Sequence, residues 1–260
     1  MWDLFISLMI NILLYIYNLI GQNFGWAIII FTILTRVVLY PLTARQMKSS
    51  KGMQELQESK KWKDIQEKYK GDKEKLSQKQ IEIYKEMGIN PLGSCLPTLL
   101  QFPIIIGLYQ AIIRTLAVTP LQLVNLSKHI TDGANLIPIN NHFLWMELSN
   151  PERLQIFGFG VPVLAIIVAI TSYLQSKMIT TTTGSGGNDQ SAQMNKMMQL
   201  YMPLFMGYLA LTYASGLAVY FVASNLASIG QYALMGQVDL KKLIPSKLLP
   251  SKSSQNAPKK

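Results

Sequence analysis

An all-α membrane protein is the fold class this sequence predicts, on three observations. Hydrophobic residues make up 49% of the chain and gather in long runs. The charges gather in blocks between those runs, instead of alternating with apolar positions as on a soluble surface. The bases are shared very unequally between alternate connections, as they are in proteins threaded through a bilayer. Together these give five transmembrane helices in a single bundle, with an amphipathic interfacial helix before them and a charged helical hairpin standing in water.

Residues 1–21 open without a basic region, on Met1-Trp2-Asp3, which argues against a secretory signal peptide. Asp3, Ser7, Asn11 and Asn18 recur at helical spacing and form one polar stripe. The stripe predicts a helix over 2–20 lying in the outer interface, with Trp2, Tyr15 and Tyr17 at headgroup level; a sixth transmembrane helix is the alternative.

Residues 22–44 hold the first span, and within it Phe24 to Leu42 carries a fixed charge, Arg36. At about 1.5 Å of rise per residue, the nine residues to Arg45 set Arg36 roughly 13 Å from the basic end of a straight helix. That is deep in a hydrocarbon layer of about 30 Å. An arginine there costs about 2.5 to 3.5 kcal/mol on insertion scales unless something compensates it. A carboxylate on a neighbouring span is the usual compensation, yet none of the fourteen Asp and Glu falls in an apolar span. Arg36 therefore faces water or awaits an acidic group from outside the chain.

Residues 45–90 interleave twelve bases with eight acids. Trp62, Ile65 and Tyr69, then Leu76, Ile83 and Met87, keep three-and-four spacing around a Lys70-Gly71-Asp72 turn, which predicts a helical hairpin. Pairs such as Asp64 with Lys68 and Glu82 with Lys85 would add a few tenths of a kcal/mol each. The hairpin is either a solvated charged face or a docking arm. The second span, 91–118, opens on Asn90-Pro91-Leu92-Gly93, and Pro97 and Pro103 predict a bend near its entry. Gln101 inside that bend either bonds a loosened carbonyl or lines a cavity.

Residues 119–153 form a polar, Asn-rich connection in which Phe143, Leu144 and Trp145 are expected at the interface. The third span is 154–176. Residues 177–197 follow as a linker, flexible by composition in TTTTGSGGNDQ. A tight transmembrane hairpin occupies 198–236, and its first apolar run of fourteen residues reaches only ~21 Å, short of the ~30 Å hydrocarbon layer. Asn225 and Gln231 lie in its second run, beside Ser224 and Ser228. Residues 237–260 form a tail with six lysines and a disordered composition.

Twelve bases in the hairpin, Lys177 and Lys196 in the linker and six in the tail oppose Lys128 and Arg153 in the other connection. The N-terminus is therefore outside and the C-terminus cytoplasmic. A single cysteine, Cys95, excludes an internal disulfide and a Cys-rich metal site. His129 and His142 read as loop residues, and neither a metal nor a cofactor is expected. No G-x-x-x-x-G-K-[ST] pattern is present, so nucleotide hydrolysis is not expected. The spans lack paired carboxylates, a Ser/His pair and a ligand cluster, which argues against an intramembrane enzyme. A small transporter or channel for an anionic solute remains as the rival function; it predicts internal repeats, and no convincing one is visible. Gly21 and Gly25 make a lone G-x-x-x-G, a weak packing signal.

Three stretches resemble one family. Thr35-Arg36-Val37-Val38-Leu39-Tyr40-Pro41-Leu42, Asn90 to Pro97 running into Leu100-Gln101-Phe102-Pro103, and Gly216-Leu217-Ala218-Val219-Tyr220-Phe221-Val222-Ala223-Ser224-Asn225 are similar to YidC-type membrane protein insertases. The likeness covers Trp2 to Gly236 and fits the short, Gram-positive-like form, with no large extracytoplasmic domain before the first span. Phe221 stands where many members have Trp or Tyr, and no lipoprotein Cys lies near the start.

The resemblance implies five helices around a hydrophilic groove open to the cytoplasm and to lipid, in the bacterial cytoplasmic membrane. It places the key arginine on Arg36, with Thr32, Gln101, Gln175, Phe221 and Asn225 lining or bordering the groove. The partners it implies are nascent membrane proteins and the lipid bilayer, with the ribosome, signal-recognition components and a Sec-type translocon as further candidates. The hairpin and basic tail are the candidate contacts for these, and the tail is equally suited to anionic lipid at about 1 kcal/mol per charge.

Overall fold

A computed structural model of the protein describes residues 2–69, 71–88, 96–116, 139–156, 159–183 and 189–235. Helix α1 is Trp2–Leu19, α2 Phe24–Val38, α3 Tyr40–Glu58, α4 Lys60–Lys68, α5 Lys73–Glu86 and α6 Leu96–Thr115. Two antiparallel ribbons follow, β1 (His142–Phe143) with β2 (Met146–Glu147), and β3 (Leu154–Ile156) with β4 (Phe159–Val161). Helices α7 (Val163–Thr183), α8 (Asp189–Thr212) and α9 (Ser215–Leu234) complete the described chain.

The core follows from apolar spacing. Ile6, Met9, Ile10, Leu13, Leu14 and Tyr17 bury one face of α1, and Phe24, Ala27, Ile28 and Phe31 bury one face of α2. They meet Leu108 and Ile112 of α6, and Leu217, Ala218 and Tyr220 of α9. Helix α9 is central: it packs on α2 and α7, while α7 pairs most extensively with α8. Val37, Val38, Leu204, Leu226 and Leu234 face outward, an apolar exterior of the kind that lipid covers.

By length and composition α1 and α9 can each cross a membrane, and α2 with Tyr40–Ser49 makes a third span if its 57° bend lies within one crossing. In α7 the apolar stretch is the shorter Val163–Met178. The first half of α8 is polar. The expected set of five thus resolves into two or three uninterrupted candidates among the described residues.

Helix α1 crosses one end of the bundle. Ile28 of α2 and Ile112 of α6 both lie against Gly216, so the start of α2, the end of α6 and the start of α9 share a level. The first turn of α1 meets α6 through Trp2 to Gln110 (3.4 Å) and Asp3 to Arg114 (3.4 Å). Its far end meets α2, where Tyr17 and Phe24 stack edge to face at 6.1 Å. Its polar stripe bonds back onto its own turns, Ser7 Oγ donating to the Asp3 carbonyl and Asn11 Nδ2 to that of Ser7. The outward face is mixed, because Leu4, Leu8, Tyr15 and Leu19 are exposed beside that stripe. Arg114 is a base that the connection count of charges does not include.

Several boundaries differ from expectation. The helix expected to run through 22–44 breaks after Val38, because Pro41 at the start of α3 has no N–H to continue the ladder. Arg36 therefore sits in the last turn of α2, and the straight-helix depth does not apply. The helix expected from residue 154 begins at Val163. Pro162 starts that helix, accepting from Ile166 N, and the apolar residues before it pair as β3 and β4. Among the described residues the class is thus all-α apart from four strands of two or three residues. Most of the expected linker over 177–197 is helix, with α7 reaching Thr183 and α8 starting at Asp189. Residues 89–95, 117–138 and 236–260 lie outside the described residues, and with them the second span's entry motif, most of the outer connection and the basic tail.

The hairpin forms with a different core and different pairs. Ser59 Oγ caps α4 by accepting from Trp62 N, and Asp72 Oδ1 caps α5 by accepting from Lys75 N. Leu56, Trp62, Leu76, Ile83 and Tyr84 are its buried core, with Ile65 and Tyr69 packed against it, whereas Met87 is exposed. The ion pairs are Lys61 with Glu86 (2.9 Å), Lys75 with Asp72 (2.9 Å) and Lys79 with Glu82 (2.5 Å), in place of Asp64 with Lys68 and Glu82 with Lys85. Hydrogen bonds from Lys75 and Lys61 hold the Asp72 and Glu86 carboxyls below the usual carboxylate range.

Phe143, expected at the interface, is buried against Gly25 and stacks edge to face with Trp26 at 6.0 Å. A Cβ on Gly25 would lie 2.2 Å from the Phe143 ring. The Gly25 of the G-x-x-x-G thus receives a loop aromatic and not another helix. Gly25→Ala is expected to destabilise the protein by about 1–3 kcal/mol, read as a lower thermal midpoint in detergent. Combined with Phe143→Leu, the loss should be smaller than the sum of the two single variants. Strict additivity would show that the contact is not made.

Candidate functional site

The site is built where α2 ends. Thr32, one turn before Arg36, is fully buried and spends its hydroxyl on the Ile28 carbonyl at 2.7 Å. Thr35 does the same to the Thr32 carbonyl at 2.8 Å. Arg36 is half-buried on the face turned to α9. Its Nη2 donates to Ser224 Oγ, and the Tyr220 and Tyr232 hydroxyls lie within electrostatic reach. A guanidinium has five N–H donors. Among the described residues Ser224 is its one hydrogen-bond acceptor, and no carboxylate lies within ion-pair distance. The charge thus meets a neutral hydroxyl at one donor.

The network continues into two other helices. Gln101 of α6 donates through Nε2 to the Tyr220 hydroxyl, so α6, α9 and α2 meet through Gln101, Tyr220, Ser224 and Arg36. Gln101 therefore binds a tyrosine and not the loosened carbonyl of its own helix. Below Ser224, Ser228 Oγ donates to the Ser224 carbonyl at 2.9 Å, and Gln231 Nε2 donates to the Arg36 carbonyl at 3.0 Å. Tyr220, Ser224, Ser228 and Gln231 are spaced four, four and three apart on one face of α9. That spacing was available in the sequence as a signal. The expected site residues include none of these four.

The remaining expected residues fall elsewhere. Asn225 turns to α7, where its Nδ2 donates to Thr171 Oγ1 (3.1 Å) and Ser172 Oγ (2.8 Å), all three being buried. Gln175 lies one turn beyond Thr171 and is half-buried. Phe221 is buried in the core beside Tyr220, their ring centres 5.8 Å apart. Arg36 and Gln101 are thus brought together, Asn225 joins α9 to α7, and Thr32 and Phe221 are core at rest.

At the opposite end the segment between β1 and α7 binds the start of α9. Ser215 N donates to the Asn150 carbonyl (2.9 Å), Gly216 N to that of Leu148 (3.1 Å) and Ser215 Oγ to that of Glu147 (2.6 Å). Buried Glu152 accepts from Trp145 Nε1 (3.0 Å) and from Leu164 N (3.0 Å), a carboxylate at the positive end of α7.

Fold and site together define a helical membrane protein with an arginine at the end of a broken helix and, among the described residues, no carboxylate within ion-pair distance of it. The chain belongs to the family described as the 60Kd inner membrane protein, whose model matches residues 15–242. It is similar to the membrane protein insertase YidC of Oceanobacillus iheyensis, at 32% identity over 222 residues, covering 84% of this chain and 76% of that protein. With the YidC of Fusobacterium nucleatum it shares 35% over 236 residues, 85% of this chain and 97% of the relative. The insertase MisCA of Bacillus subtilis is 32% identical over 246 residues, 93% of this chain and 81% of its own. A crystal structure of an active YidC insertase with its first transmembrane domain resolved shares the fold, with a TM-score of 0.56 at 24% identity. The match covers 88% of this chain and 45% of that one. Family and relatives make the chain a membrane insertase.

Removing the amide of Asn225 should loosen α7 from α9. Asn225→Ala is expected to lower the unfolding free energy in an SDS titration by about 1 kcal/mol. An unchanged titration would mean that this bridge contributes nothing.

Proposed function

We propose that the chain inserts nascent membrane proteins by receiving their polar, often acidic, leading segment at Arg36, in a hydrated groove open to lipid and to the cytoplasm. The observation that carries this is the guanidinium's single bond to a neutral hydroxyl, with no carboxylate beside it among the described residues. An acidic guest completes the charge. The pairing is transient, because a permanent one would trap the client. The client's apolar helix then slides along the lipid-facing side, and its burial at about 25 cal/mol per Å² drives the step without nucleotide hydrolysis.

Gln101 and Gln175 border the groove in this reading. Thr32, Phe221 and Asn225 join them as α9 parts from its neighbours. The bundle crosses the bacterial cytoplasmic membrane five times, N-terminus outside and C-terminus inside, with α1 resting on the outer interface. The course of α1 across the bundle end supports that last point. The hairpin and tail meet incoming chains on the cytoplasmic side, where the ribosome, signal-recognition components or a Sec-type translocon deliver them.

A charge-assisted hydrogen bond is worth about 1.5–3 kcal/mol. Arg36→Ala should therefore slow insertion of clients with acidic translocated tails about ten- to a hundredfold in reconstituted vesicles. Arg36→Lys should keep most of the rate, and an Ala variant inserting at the wild-type rate would remove the charge from the mechanism. Truncation after Gln237 is expected to weaken ribosome co-sedimentation and flatten its salt dependence, since counterion release scales with the phosphates contacted. Unchanged binding would rule out the tail as the RNA contact.

A further inference from the structure

An arginine whose charge is to be offered to a guest must be held by something other than a counter-charge. Its backbone is poorly suited to that. Arg36 lies in the last turn of α2, where helix carbonyls lose their intrahelical donors, and Pro41 removes one more N–H just beyond the break. Unanchored, this turn would let the guanidinium drift.

We infer that Gln231 is a positioning residue of the insertion site, its amide N–H fixing the Arg36 carbonyl and thereby the height and direction of the guanidinium. Gln231 Nε2 donates to that carbonyl at 3.0 Å, while two turns earlier on the same face of α9 Ser224 Oγ receives the guanidinium. Arg36 is held at both ends by one rigid helix, with Ser228 bonded to the Ser224 carbonyl between the two holds. A carbonyl only accepts, so the amide is oriented with nitrogen toward Arg36, and its oxygen points away. That oxygen is buried, and no donor among the described residues reaches it.

The inference rests on the proposed role of Arg36, and its test separates the two. Initial insertion rates are compared in vesicles for two clients with the same apolar helix, one with an acidic and one with a neutral translocated tail. Gln231→Met, similar in length but without a donor, should slow the acidic client about five- to tenfold and the neutral one less than about twofold, as loss of one buried hydrogen bond predicts. Gln231→Glu supplies the control for folding and the readout that a structural role would not move. Its protonated carboxyl donates to the Arg36 carbonyl and preserves insertion. Once ionised it cannot donate, and it neutralises the guanidinium instead. Insertion by this variant should therefore fall as pH rises through the ionisation of that carboxyl, while the wild type stays flat. Gln231→Met inserting the acidic client at the wild-type rate, Gln231→Met slowing both clients equally, or a Glu variant inserting the acidic client at the wild-type rate at every pH would each overturn the inference. If Arg36→Ala itself inserts normally, the charge reading fails first; if it does not and Gln231→Met does, only the positioning role is lost.

Discussion

Holding a guanidinium inside a membrane bundle with no carboxylate beside it among the described residues is the constraint on which the rest of this structure depends. A carboxylate within reach would neutralise the charge. The protein meets the charge with neutral oxygens, Ser224 Oγ directly and the Tyr220 and Tyr232 hydroxyls nearby. Dipoles stabilise a cation more weakly than an anion does, and they leave most of its donors uncommitted. The break after Val38 frees the Arg36 carbonyl that Gln231 then serves, so Pro41 just beyond it becomes part of the same arrangement.

Helix α9 carries three tasks on three faces. One face offers Tyr220, Ser224, Ser228 and Gln231 to α2 and α6, another sets Asn225 against Thr171 and Ser172 of α7, and its first turn is gripped by the outer loop. Hence its short motif from Gly216 to Asn225 holds small, aromatic and polar residues in close succession. A purely apolar helix would span as well and do none of this.

The legible parts were those governed by local pattern. Arg36 was conspicuous because a charge in an apolar run needs no partner to be noticed, and the hairpin declared itself through spacing and through Asp72. Family motifs supplied Gln101 and Asn225, although not their partners. The failures share a physical cause. The residues from Leu154 to Val161 are as apolar as a span, and only Pro162 distinguishes a strand pair followed by a helix from one longer helix. Phe143 reads as an interfacial aromatic until Gly25, more than a hundred residues away, provides the space for it. Gln231 was visible as an amide in a span, yet its role depends on a carbonyl set free by a helix break that a straight-helix reading does not contain.

The outer loop has a mechanical consequence. Phe143 is lodged in α2 at Gly25, Glu152 clasps the start of α7, and the carbonyls of Glu147, Leu148 and Asn150 bind the start of α9. Three helices are thereby tied together at a single end, like the sprung end of a clothes peg. Such a bundle spreads by splaying at the free end, with displacement growing along the helices and vanishing at the tie.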